Sequence, residues 1–228
     1  MTIYNEKFRH LINNLENVES KYSIFNYKCG TKGFLSLGQG NVNEWLETLL
    51  PNTRLILEPK IIGTNIGIQY IDGKLNKAIN KNSEDITQKV NSLNIFPTKL
   101  PIKNRIEIEG VIYKDDITLE KNRKINLIDQ QKTLIKNNEL KFCAFRIFNC
   151  KINHYQVLQE LKKLNFEIPE TQFTKHISEI EIFRQCWKEG SLFQSYPTSG
   201  IVLKINSRKL QKYLERSNLS MNWAYVIN

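Results

Sequence analysis

Apolar positions along the chain follow two periods, one helical and one alternating. Phe8, Leu11, Ile12, Leu15 and Val18 recur at helical spacing and predict an amphipathic first helix over 5–18. The segment 19–40 carries Gly30, Gly33, Gly38 and Gly40 and reads as loop with a short extended piece at 34–37. Asn41 with Glu44 forms a capping-box pattern, Val42, Trp45, Leu46 and Leu49 line one face of a second helix, and Pro51 ends it. Residues 53–58 and 65–71 are β-rich, and Asp72-Gly73 joins the second run to KLNKAI as a type I′ hairpin turn. Ser83 is expected to open a short helix with acids in its first turn, and Pro97 and Pro101 mark a loop. Strands are predicted over 105–113, 140–148 and 200–206. Further helices are predicted over 153–165, behind a Ser178/Glu181 capping box, and after Ser207, where Arg208, Lys209, Lys212 and Arg216 make a basic face. Strands and helices mix without regular βαβ alternation, which points to an α+β fold with largely antiparallel sheets.

Charge narrows the class of partner. The 228 residues carry 33 Lys+Arg against 23 Asp+Glu, a formal net charge of +10. Such an excess suggests an anionic partner, nucleic acid first, against the alternative of a merely solvated basic surface. The chain has no run of about 18 apolar residues, so no membrane-spanning helix is expected. The opening MTIYNEKFRH has no apolar leader and reads as a mature N-terminus of a cytoplasmic protein. Cys29, Cys143, Cys150 and Cys186 form no C-x-x-C pair, so reduced thiols are expected and no metal site.

The segment LILEPKIIGTNIGIQYIDGKL holds the most pointed chemistry. Lys60 follows a β-rich run and a proline, and precedes Gly63, which permits close approach of another group. Apolar neighbours such as Ile61 and Ile62 disfavour an ammonium and so activate a lysine as a nucleophile; the plainer reading is a surface lysine beside a strand. Glu107 and Glu109 share one face of the 105–113 strand and suit a metal, ribose hydroxyls, or simply water. In SGIVLKIN, Ile201, Leu203 and Ile205 form the core face, and Lys204 lies with Val202 and Asn206 on the other.

E-P-K-x-x-G, the hairpin, S-E-D-I-T, I-E-I-E-G, S-G-I-V-L-K-I-N and N-W-A occur in this order across Gly33 to Asn228. That order resembles the adenylation domain of NAD-dependent bacterial DNA ligases. The resemblance implies a nucleotidyltransferase fold, antiparallel sheets around a nucleotide cleft, with a short N-terminal helical segment over 1–50 and the adenylation-like domain over 51–228. No OB-fold, zinc finger or BRCT region is expected. It implies that Lys60 attacks NAD (or ATP) with a divalent metal such as Mg to form a lysyl-AMP adduct for ligation of nicked DNA. It also gives Glu58 to adenine, Leu35, Ser36 and Leu37 to enclosing the nucleotide, Glu107 to the ribose, Phe145 to stacking on adenine, Lys204 to the α-phosphate, and Gly63 to the lysine motif. The pattern departs where the family has acids: Ile62, Val111 and Ser199 stand there instead. Two readings follow: an active enzyme, with a second chain supplying further ligase domains, or a catalytically degenerate module that binds nucleic acid or an adenine nucleotide.

Overall fold

The computed structural model describes residues 36–114, 140–215 and 220–228. In chain order the elements are β1 (Ser36–Gly38), α1 (Val42–Glu47), β2 (Leu55–Ile61), β3 (Thr64–Ile71), β4 (Lys74–Asn80) and α2 (Thr87–Asn91). Then come β5 (Ile106–Lys114), β6 (Leu140–Ile147), α3 (His154–Lys163), β7 (Gln172–Thr174), α4 (Ile177–Lys188), β8 (Thr198–Ile205), α5 (Arg208–Glu215) and β9 (Ser220–Ile227). The predicted first helix over 5–18 and the loop through 35 lie outside the described residues.

The strands form two sheets, ordered β1-β9-β8-β2-β7 and β4-β3-β5-β6. Apart from the parallel β1–β9 pair, the ladders are antiparallel. Period-two alternation decides what each face buries. Ile201, Leu203 and Ile205 of β8 are fully buried, as the sequence pattern requires. One core lies against the four-stranded sheet and takes Val90 from α2 and Leu158 and Leu161 from α3. The other takes Leu46 from α1, Ile180 from α4, and Leu57, Leu203 and Trp223 from the five-stranded sheet. Strand β5 serves both: Ile106, Ile108 and Ile112 enter the first core, Val111 and Tyr113 the second. Phe145 packs at the edge of each. Residues 36–50, read from sequence as part of a helical segment, thus contribute a strand and a core leucine to the five-stranded side.

Local signals meet mixed outcomes. Asp72 and Gly73 both take positive φ (51° and 74°), as a type I′ turn demands. Asn41 caps α1, its Oδ1 accepting from Asn43 N at 3.0 Å while its amide reaches Glu44. The helix expected from Ser83 starts later. Ser83 sits in a turn at φ 64°, and Asp85 accepts from Thr87 N at 2.9 Å ahead of α2. Likewise, α4 begins at Ile177, so Ser178 and Glu181 lie inside it; Thr174 Oγ1 instead accepts from His176 N. Asp85 thus meets the first helical N–H of α2, whereas no side chain caps α4, and spacing alone does not show where either helix starts. Among the described residues no helix is long and apolar enough to cross a membrane. Cys143 and Cys150 are buried and Cys186 is half-buried, all as free thiols.

Candidate active site

Strand β2 places the site. Its ladder with β8 sets Glu58 opposite Val202 and Pro59 opposite Ile201, then slips between Pro59 and Ile61. Lys60 therefore sits at a bulge, a device that re-aims a side chain. Pro59 is tolerated in this strand because β7 pairs only with Leu55, Ile56 and Leu57 and asks nothing of position 59. Lys60 is half-buried and lines two cavities. One is a cleft of about 190 Å³ whose walls include Leu37, Glu58, Glu109, Phe145, Lys204 and Trp223. The other is an open groove of about 830 Å³ beside Asn41, Ile180, Arg184 and Asn228. Burial lowers the pKa of Lys60 below its ordinary value. Among the described residues no hydrogen bond or ion pair engages its amine.

The smaller cleft gathers buried charge. Glu58 is 2% exposed; Lys204 Nζ donates to its Oε2 at 2.6 Å and His154 Nε2 meets its Oε1. Burial pushes the Glu58 carboxyl up, but Lys204 and His154 outweigh it and bring it down to about 2. An ionised carboxylate only accepts, so His154 must carry its proton on Nε2, a tautomer assigned from this network. Burial also lowers the His154 pKa, although Glu58 opposes it, which favours the neutral ring. Lys204 Nζ lies 4.8 Å from the Phe145 ring centroid, within cation–π reach. Glu109 is raised by burial, with Arg146 and Lys204 countering; Arg146 Nη1 stands 3.4 Å from it. The Arg146 guanidinium in turn lies over Phe148 at 4.5 Å and Trp223 at 5.5 Å.

The residues singled out from sequence divide. Lys60, Glu58, Leu37, Phe145 and Lys204 share one cavity wall although they come from β1, β2, β6 and β8. Glu107 does not line it: Arg105 Nε donates to its carboxylate at 2.9 Å and Gln69 Nε2 at 3.0 Å. Glu109 lines the cleft in its place. Gly63 makes the turn from β2 to β3, and an added Cβ there would sit 2.2 Å from Ile112 O. Ser36 pairs through its backbone with Ser220, and Leu35 lies outside the described residues. Val111, which stands where the family has an acid, is part of the cleft wall.

His154 and Arg146 escaped the sequence reading, and Trp223 entered it only as part of the N-W-A motif, with no role. In β6 the alternation would put Phe145 and Arg146 on opposite faces. The β5–β6 register slips so that Glu109 pairs with Arg146 and Gly110 with Ala144. Phe145 is the extra residue, and both side chains reach the cleft. His154 had no local signal at all, since its partner lies 96 residues away.

The described residues contain no group of three or more His, Cys, Asp or Glu able to hold a metal. Both cleft carboxylates already meet cations.

No family model matches the chain. It is similar to the DNA ligase of Mycoplasma capricolum (25% identical, covering 76% of this chain and 30% of the relative). It is also similar to those of Metamycoplasma arthritidis (24%, 90% and 36%) and Petrotoga mobilis (27%, 77% and 30%). The chain thus spans about a third of the length of these curated relatives. Among solved structures it resembles a putative ATP-dependent DNA ligase from Aquifex aeolicus, with a TM-score of 0.52 at 12% identity over 90% of this chain and 60% of that one. The ligase domain from M. tuberculosis LigD gives 0.51 at 14% identity, covering 76% and 54%. The fold is that of the ligase nucleotidyltransferases. In this fold the two sheets bound a cleft, which here is the one lined by Lys60, Phe145 and Lys204.

Proposed function

We propose that this chain is a DNA-ligase-type nucleotidyltransferase that loads AMP onto Lys60. The observation that carries the reading is the position of the Lys60 amine. It is half-buried and unengaged among the described residues, and shares a wall with Glu58, Phe145 and Lys204 in a ligase nucleotidyltransferase fold. The neutral amine attacks the α-phosphorus of NAD or ATP. A P–N bond forms while the P–O bond to nicotinamide mononucleotide or pyrophosphate breaks, and that leaving group takes the electron pair. The second amine proton passes to solvent. Burial raises the fraction of Lys60 present as free amine, which this step needs.

Phe145 offers a ring for stacking on adenine, Glu58 an acceptor for its amino group, and Glu109 an acceptor for ribose hydroxyls in place of Glu107. Lys204 donates to Glu58 and lies 4.8 Å from the Phe145 ring centroid, which supports a role at the base edge beside one at the α-phosphate. The groove on the far side of Lys60, with Arg184 on its wall, has room for the departing half of the donor or for a polynucleotide end. The resemblance favours NAD as donor, whereas the solved structures of like fold include one described as ATP-dependent. The final substrate on this reading is nicked DNA or another polynucleotide, attracted by the net charge of +10.

Mass spectrometry of the protein incubated with NAD or ATP and Mg is expected to show the gain of one AMP. Lys60→Ala should lose it. Absence of the adduct with both donors overturns the proposal. The second reading, a nucleotide- or nucleic-acid-binding module without catalysis, draws support from Val111 in the cleft wall. It predicts AMP or duplex binding by calorimetry with no covalent product.

A further inference from the structure

Besides Lys60, four ionisable side chains, Glu58, Glu109, Arg146 and Lys204, line the cleft, and His154 meets Glu58 without lining it. Lys204 meets Glu58 and Arg146 meets Glu109, so each cation already has a carboxyl partner. His154 is not needed to partner either cation. What it adds is a second donor to Glu58: Lys204 holds Oε2 and His154 holds Oε1, so the carboxylate is gripped at both ends.

The grip has a rigid frame. Asn206 follows β8 two residues after Lys204, and its carbonyl accepts from His154 N at 3.0 Å. Its Oδ1 accepts from Tyr155 N at 3.0 Å. Asn153 Oδ1 accepts from Arg208 N at 3.1 Å, tying the start of α3 to the start of α5. Lys204 and His154 therefore approach Glu58 from one interlocked segment. A carboxylate with both oxygens anchored cannot rotate, and its remaining lone pairs point in set directions.

We propose that His154 is a positioning residue for base selection: by fixing the Glu58 carboxylate beside the Lys204 ammonium, it makes the cleft prefer a 6-aminopurine over a 6-oxopurine. This rests on reading the cleft as a nucleotide site. A 6-aminopurine presents an amino donor next to a ring-nitrogen acceptor, which complements a carboxylate beside an ammonium. A 6-oxopurine presents the reverse, a carbonyl oxygen against the carboxylate and an N–H against the ammonium. Rejection of the wrong edge depends on buried polar groups that cannot turn to suit it. Without His154 the carboxylate is free to rotate, and the discrimination weakens.

The test measures AMP and IMP affinities by calorimetry for wild type, His154→Asn and His154→Gln, with thermal unfolding as the folding check. Gln carries an N–H near the His154 Nε2 position; the shorter Asn does not reach Glu58. Wild type is expected to favour AMP over IMP, His154→Asn to cut that ratio about tenfold, roughly 1.4 kcal/mol, and His154→Gln to retain most of it. A general loss of stability lowers both affinities together and leaves the ratio unmoved. An unchanged ratio in folded His154→Asn overturns the inference, as does a His154→Gln ratio as low as that of His154→Asn. If His154→Asn does not fold, His154→Gln against wild type decides: loss of the ratio there overturns it. Wild-type binding of neither nucleotide removes both this inference and the proposed function. Wild-type binding without a covalent adduct removes only the catalytic proposal, and the ratio still judges His154.

Discussion

Glu58 shows how one buried side chain sets an acid limit while lining the cleft proposed to bind the nucleotide. Its folded pKa of about 2 lies below the ordinary 4.5 because Lys204 and His154 outweigh the burial penalty. The sign follows from linkage: the stabilisation is full above about pH 4.5 and disappears as the pH falls toward 2. Denaturant midpoints measured across that window should fall steeply for wild type. Glu58→Gln should be less stable at neutral pH, because it leaves the buried Lys204 ammonium without its counter-charge, and its profile should be flatter in acid. An equally steep acid profile for Glu58→Gln would place the titration elsewhere. Lys60 works by the opposite balance. Burial acts on it without a counter-charge among the described residues, so its pKa falls, as the proposed nucleophile requires.

Element geometry carries these side chains to one place. The β2–β3 turn lets the chain leave the five-stranded sheet and enter the four-stranded one within two residues, and Gly63 is its tight point. A methyl there would stand 2.2 Å from Ile112 O and 2.6 Å from Val111 Cγ2. Gly63→Ala should therefore destabilise the protein by about 1–3 kcal/mol, read as a lower denaturant midpoint, because backbone on β5 must shift to admit it. Turns and faces of this kind were legible in the sequence. Asp72-Gly73 announced its hairpin, the β8 alternation announced its core face, and Asn41 announced the start of α1. The starts of α2 and α4 were not legible: Asp85 and not Ser83 meets the first N–H of α2, and α4 starts at Ile177, ahead of Ser178 and with no side-chain cap. Nor were the bulges at Lys60 and Phe145, since a bulge breaks the very alternation used to read a strand.

At the scale of the whole molecule, two apolar cores meet along β5, and Phe145 touches both at the cleft. The net charge of +10 belongs to this scale too. Part of the basic helix after Ser207 is used internally: Arg208 donates to Cys150 O at 2.9 Å. Lys209, by contrast, is exposed. Binding to nicked duplex DNA is expected to weaken steeply as salt rises, because each phosphate contact releases counterions. Fluorescence anisotropy over a salt series checks this, and salt-independent binding would contradict a backbone-led interface.

From the sequence alone came the antiparallel α+β class, the main strands and turns, the positive charge, and Lys60, Glu58, Phe145 and Lys204 as residues to watch. Each of these depends on near neighbours in the chain or on a motif that runs along it. Tertiary structure alone decided that Glu109 and not Glu107 enters the cleft, that Arg146 joins Phe145 there, and that His154 grips Glu58 from α3. Those outcomes depend on ladder register and on contacts between residues far apart in the chain, and no local spacing encodes them.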